Sequence, residues 1–134
     1  ALNQNKLIKR DSVVVYGKDR YHWYIQVNPT IYKVIKPTYN DDGVEVDNAY
    51  FDNIIHLGLF RGATQIYSHD VRKDDFDKQV PSQALKQSIL SDIVYVGAGT
   101  DGFHFNASVC IPDSPTSYQI LIIVGFNGSI KYKI

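Results

Sequence analysis

Gly97-Ala98-Gly99-Thr100-Asp101-Gly102 has the spacing of the dinucleotide fingerprint G-x-G-x-x-G and follows an apolar run that reads as a strand. That fingerprint works by presenting a pyrophosphate to the N-terminus of a following helix. Here residues 103–109 follow, and they alternate with period two, the mark of another strand. Without a helix there is no phosphate cradle. The segment is expected to be a hairpin turn.

Asp41, Asp42, Glu45, Asp47 and Asp52 could offer oxygens to a calcium ion. Their order is not that of an EF-hand loop, and alternating acids also serve to protect an exposed strand. Asp41, Asp42, Glu45 and Asp47 stand as the candidate metal ligands; Asp74, Asp75 and Asp77 rank below them because Lys73 and Lys78 flank that group. His22, His56, His69 and His104 fall in four different predicted strands with no local pair of the kind that zinc sites show. Each reads as a hydrogen-bonded strand histidine. Cys110 lies between Val109 and Ile111, where a single thiol is expected to be a small buried hydrophobe. No G-x-S-x-G elbow occurs, and no two carboxylates are marked as an acid–base pair. Asn106-Ala107-Ser108 and Asn127-Gly128-Ser129 fit the glycosylation sequon, the second being better explained as a turn. Tyr21, Trp23 and Tyr24 form the densest aromatic group and could stack on a sugar ring; the competing expectation places Trp23 in the core.

The elements that would position these residues follow from composition and pattern. The chain has 134 residues, of which 44% are hydrophobic and 13% aromatic, enough for one domain with a core that needs no disulfide. Lys plus Arg and Asp plus Glu are 14 each, so there is no net charge and no basic tract. Nucleic-acid binding is therefore not expected. The longest apolar run, residues 120–126, is far short of the roughly 20 residues that span a bilayer.

Turn signals recur along the chain at the spacing of an all-β sandwich or barrel. Strands are expected over 12–16, 20–28, 30–36, 50–61, 64–71, 93–96, 103–111, 117–126 and 129–133, with turns at Asn28-Pro29, Asn40-Asp41-Asp42-Gly43, Arg61-Gly62-Ala63 and Asn127-Gly128. Residues 73–79 read as a loop. One short helix is expected over 82–90, capped by Ser82, with Ala84, Leu85, Ser88 and Ile89 on one side. The strand 118–126 is apolar on both faces, so it should be central and covered twice, with the helix the first choice for the outer cover. The fold expected is an antiparallel β-sandwich of about nine or ten strands over residues 1–134, with 1–10 a flexible lead. A lipocalin-like up-and-down barrel is the alternative.

The run His69-Asp70-Val71-Arg72-Lys73-Asp74-Asp75-Phe76, the segment 103–111 ending in Pro112-Asp113, and the closing residues 120–125 resemble small exported or lipid-anchored proteins of gut Bacteroidetes, from families of unknown function. The resemblance covers about the C-terminal half and implies an envelope location, in the periplasm or on the cell surface of a Gram-negative bacterium. It implies no functional residue. The chain starts at Ala1 and contains no Met, so a segment upstream, a lipid-anchored signal among the candidates, is expected. The functional expectation is a non-enzymatic exported domain that binds or scaffolds an envelope protein, a glycan or a small ligand, without a cofactor. It would meet a membrane only through an upstream lipid anchor. A carrier of small hydrophobic ligands with a barrel cavity is the second reading. A hydrolase whose residues the sequence does not pair is the third.

Overall fold

The computed structural model describes residues 4–134, and among them it shows eight strands, one 3-10 turn and one short helix. β1 (Ile8–Tyr16), β2 (Asp19–Tyr39), β3 (Glu45–Arg61) and β4 (Thr64–Val71) form one four-stranded sheet in sequence order. β5 (Ile89–Gly99), β6 (Gly102–Cys110), β7 (Ser117–Val124) and β8 (Ile130–Lys133) form the second, again in order. All neighbours are antiparallel. Between the sheets run the 3-10 turn Lys73–Phe76 and helix α1 (Ser82–Lys86). The chain is thus an all-β sandwich of two meanders. Among the described residues no strand pairs across the two sheets, so the up-and-down barrel is not formed.

Period-two alternation builds the core. Tyr21, Trp23, Ile25 and Val27 on β2 point inward beside Leu59, Leu57 and Ile55 on β3. They belong to one buried cluster with Phe103, Phe105, Ala107 and Val109 of β6 and Ile120, Ile122 and Val124 of β7. Trp23 stacks on Tyr95 with centroids 5.1 Å apart and meets the edge of Phe105 at 6.2 Å, while Tyr21 lies 4.8 Å from Phe103. At the opposite margin Tyr67 of β4 and Tyr132 of β8 meet, and burial pushes both phenols above their ordinary pKa.

Polar clamps also tie the sheets. Arg10 of β1 donates to both carboxylate oxygens of Asp92 on β5, at 2.7 and 3.1 Å, a bidentate geometry that fixes orientation as well as charge. Asp52 of β3 accepts the Leu90 N–H at 2.8 Å, and the Asn53 amide donates to the Leu90 carbonyl at 3.0 Å. Burial raises the Asp52 pKa, against the opposing pull of the Leu90 and Asn53 N–H groups and of Lys73. A carboxyl raised on folding favours the protonated form in the folded state. Its contribution is full below the unfolded value, near 3.8, and is lost as pH rises through the higher folded value. Asp52→Asn keeps an acceptor oxygen and cannot ionise. Urea unfolding in acid and at neutral pH should show the wild type losing stability relative to Asp52→Asn as pH rises, and a difference that is constant with pH would refute this.

Several expectations are corrected. Asn28-Pro29 is not a turn: β2 runs through it for 21 residues, so eight strands stand where nine or ten were expected. Pro29 is tolerated because β1 pairs no further than Val27 and the β2–β3 register shifts between Pro29 and Lys33. The Thr30 hydroxyl spans the irregularity by donating to the Asp52 carbonyl at 2.8 Å. The bulge exposes Ile31, and beyond it β2 and β3 continue as an arm that ends in the turn at Asn40 to Gly43 and exposes Ile35 and Tyr39.

The helix ends at Lys86 rather than Leu90, because Ile89 and Leu90 are taken into β5 opposite Cys110 and Val109. Its N-cap position is Pro81, with no side-chain cap, so Ser82 does not cap it. The 73–79 stretch contains a 3-10 turn held by Asp75, which accepts the Arg72 N–H at 3.1 Å. Residues 1–3 of the expected flexible lead lie outside the described residues; Ile8 to Arg10 are strand, and the Gln4 side chain bonds both backbone groups of Phe51. Cys110 is partly exposed, with its Sγ 3.5 Å from the Ser91 and Ser117 hydroxyls. Finally, the helix residue Leu85 belongs to the same buried cluster as Ile120 and Ile122, so the helix adds to the core. The outward residues Leu121 and Ile123 are flanked instead by Asn106 and His104 of β6 and by Lys133 and Lys131 of β8.

Candidate functional site

The outward face of the first sheet carries a different chemistry from its core face. Register aligns Lys9, Gln26, His56 and Asp70 in one row across the four strands, and Asp11, Tyr24, Gly58 and Ser68 in the next. A third row holds Val13, His22, Phe60 and Gln65. Ten of these twelve residues line an open groove of about 680 Å³, Val13 and Asp70 being the exceptions.

Gly58 makes the floor. A Cβ built there would meet only ordinary contacts, 3.7 Å from His56 Nε2 and 3.9 Å from Tyr24 Cβ. The groove is open at its centre because this position has no side chain. Tyr24 forms one wall, with its ring stacked on His22 at 4.2 Å and edge-on to Phe60 at 5.7 Å.

Two hydrogen-bonded relays border the floor. Asp70 Oδ1 lies 2.8 Å from His56 Nδ1, and the Ser68 hydroxyl lies 3.4 Å from His56 Nε2. Asp11 Oδ2 lies 2.9 Å from His22 Nε2, and the Tyr24 hydroxyl lies 3.2 Å from His22 Nδ1. Each has the order carboxylate, imidazole, hydroxyl. A carboxylate that accepts one ring N–H leaves the other nitrogen of a neutral imidazole free to accept from the hydroxyl. The remaining histidines follow the same habit singly. His69 is 2.9 Å from Asp75 Oδ2, and His104 is 2.7 Å from Asp101 Oδ1. The His104 bond holds the Asp101 carboxyl below its ordinary pKa.

Of the predicted ligand residues, only Tyr24 reaches the groove. Tyr21 and Trp23 are buried on the other face, so the three do not form one stacking platform. Asp41, Asp42, Glu45 and Asp47 sit at the tip of the arm, where Asn40 Oδ1 accepts the N–H groups of Asp42 and Val44. No group of three or more His, Cys, Asp or Glu among the described residues is arranged to hold a metal ion. Gly97 to Gly102 closes the β5–β6 hairpin, with Gly99 opposite Gly102.

A family model described as a domain of unknown function, DUF4738, matches residues 1–132. The chain belongs to this family. No curated protein matches the chain. The family assignment names no activity, so the groove must be read from its own chemistry.

Proposed function

We propose that this member of the family is an exported binding domain of the bacterial envelope, and that its groove takes a polyhydroxylated ring such as a glycan residue. The open floor at Gly58, with a tyrosine wall on one side and hydrogen-bonding groups on the other, carries this reading. A sugar offers a C–H face to an aromatic ring and hydroxyls to amides, imidazoles and carboxylates. Tyr24 and Phe60 supply the first kind of surface; Gln26, His56, Gln65 and Ser68 supply the second. The export part of the reading is supported by the resemblance of residues 69–76, 103–113 and 120–125 to exported Bacteroidetes proteins.

Gly58→Val fills the floor at a strand position where an added Cβ meets only ordinary contacts and where a β-branched residue is suited. Calorimetric titration with a panel of neutral, acidic and amino oligosaccharides should find a binder. Gly58→Val should weaken it at least about tenfold, or ~1.4 kcal/mol, with an unchanged melting temperature. Equal affinity in the variant, or no binding across the panel, would count against the groove.

A further inference from the structure

We propose that Ser68 is an acyl acceptor, activated by His56 and Asp70, and that the groove acts on O-acyl esters carried by a polyhydroxylated ring. This rests on the groove being a sugar site, but it goes beyond binding.

The three residues come from two adjacent strands and meet through pairing alone. Asp70 stands opposite His56, and Ser68 stands opposite Gly58, two residues along each strand. The order of contacts, Asp70 Oδ1 to His56 Nδ1 at 2.8 Å and His56 Nε2 to Ser68 Oγ at 3.4 Å, is that of a nucleophile, its base and the group that orients the base. A hydroxyl–imidazole bond of this length in an unliganded site can tighten when substrate arrives. Gly58 stands opposite Ser68 and both line the groove, so a ring lying on the floor can place a substituent beside the Ser68 hydroxyl.

Ser68 also lies on β4, an edge strand of its sheet, two residues from Ile66, the extra residue where the β3–β4 register shifts. An edge strand carries backbone N–H groups with no strand partner, the donors that a developing oxyanion requires.

The chemistry balances with water as the only co-reactant. Ser68 Oγ bonds to the ester carbonyl carbon while His56 Nε2 takes the hydroxyl proton. The bond from that carbon to the sugar oxygen then breaks, and His56 returns the proton to the departing alcohol. Water attacks the acyl-serine, giving up a proton to His56; a carboxylic acid leaves and Ser68 recovers its proton. Asp70 accepts the His56 N–H throughout and is a positioning residue.

The test is to treat the full chain with a fluorophosphonate probe, map the adduct by mass spectrometry, and follow acetate release from O-acetylated oligosaccharides. One adduct at Ser68 is expected, absent in Ser68→Ala. His56→Gln should slow both labelling and acetate release by about 10²-fold or more. Asp70→Asn should lower kcat with little change in KM, which a merely structural role would not produce. All three side chains face solvent, and circular dichroism of each variant verifies its fold. No adduct at Ser68, or labelling at a rate that ignores His56, overturns the proposal. The groove reading fails separately: a chain that binds the deacylated oligosaccharide without labelling refutes the acyl acceptor alone. A chain that labels at Ser68 but shows no Gly58-dependent sugar binding refutes the sugar-ester assignment and the binding reading together.

Discussion

Gly102→Ala is expected to lower the unfolding free energy by about 2–6 kcal/mol, from roughly 1–3 of backbone strain and 1–3 of overpacking. Gly102 has φ of +128°, a region that L side chains rarely adopt. A methyl there would be driven into the Val124 carbonyl oxygen and would lie 2.8 Å from Gly125 Cα. Both obstacles are backbone at the end of β7, so neither can rotate away. Gly97, in the same G-x-G-x-x-G run, is the internal control. Nothing lies within 4 Å of a Cβ built there and its φ is unexceptional, so Gly97→Ala should change stability by no more than about 0.5 kcal/mol. Urea unfolding of the two variants decides whether this run is kept for packing. Equal effects would show that the close approach of Gly102 to β7 is not what the position serves.

Phe105→Ala should cost about 3–5 kcal/mol, lowering the melting temperature by roughly 10–20 °C for a domain of this length. Phe105 is fully buried, meets Trp23 edge-on and lies 5.5 Å from Tyr95. It therefore joins the two sheets at their aromatic centre. Removing it leaves a cavity that strands pinned on both sides cannot collapse to fill. Val15 on the outward face of β1, 67% exposed, provides the contrast. Val15→Ala should stay within about 0.5 kcal/mol of wild type by calorimetry. A Phe105→Ala loss as small as that of Val15→Ala would contradict the placement of the core.

The sandwich was legible where two local signals agreed. Alternation of Tyr21, Trp23, Ile25 and Val27 marks an inward face, and Gly62, Gly102 and Gly128, all with positive φ, mark three of the reversals. It was misread where a local signal was overridden from a distance. Pro29 looks like a stop, yet the Asp52 carbonyl and the Thr30 hydroxyl carry the strand past it. Ile89 continues a helical pattern, yet pairing with Cys110 draws it into β5. The helix could not hold those residues because five residues supply too few bonds to offset the cost of nucleation.

The groove was the least legible feature, and the reason is geometric. His56, Ser68 and Asp70 are brought together by β3–β4 register, and Asp11, His22 and Tyr24 by β1–β2 register. A search for ligands or catalytic groups close in sequence passes over both sets. The available signal was the series of polar outward positions at spacing two, His22-x-Tyr24-x-Gln26, His56-x-Gly58 and Ser68-x-Asp70. Joining them requires strand order and register. The fingerprint at Gly97 and the acids at the arm tip were more visible because they are contiguous.

The outward face of the first sheet as a ligand groove is the central claim, and an amide NMR titration tests it most directly. With assigned ¹⁵N resonances, the oligosaccharide that binds in calorimetry should shift Tyr24, Gly58, Phe60 and Ser68 together, leaving β6 and the arm tip at Asp41 and Asp42 unmoved. Shifts confined to the arm, to the second sheet, or to no contiguous surface would contradict it.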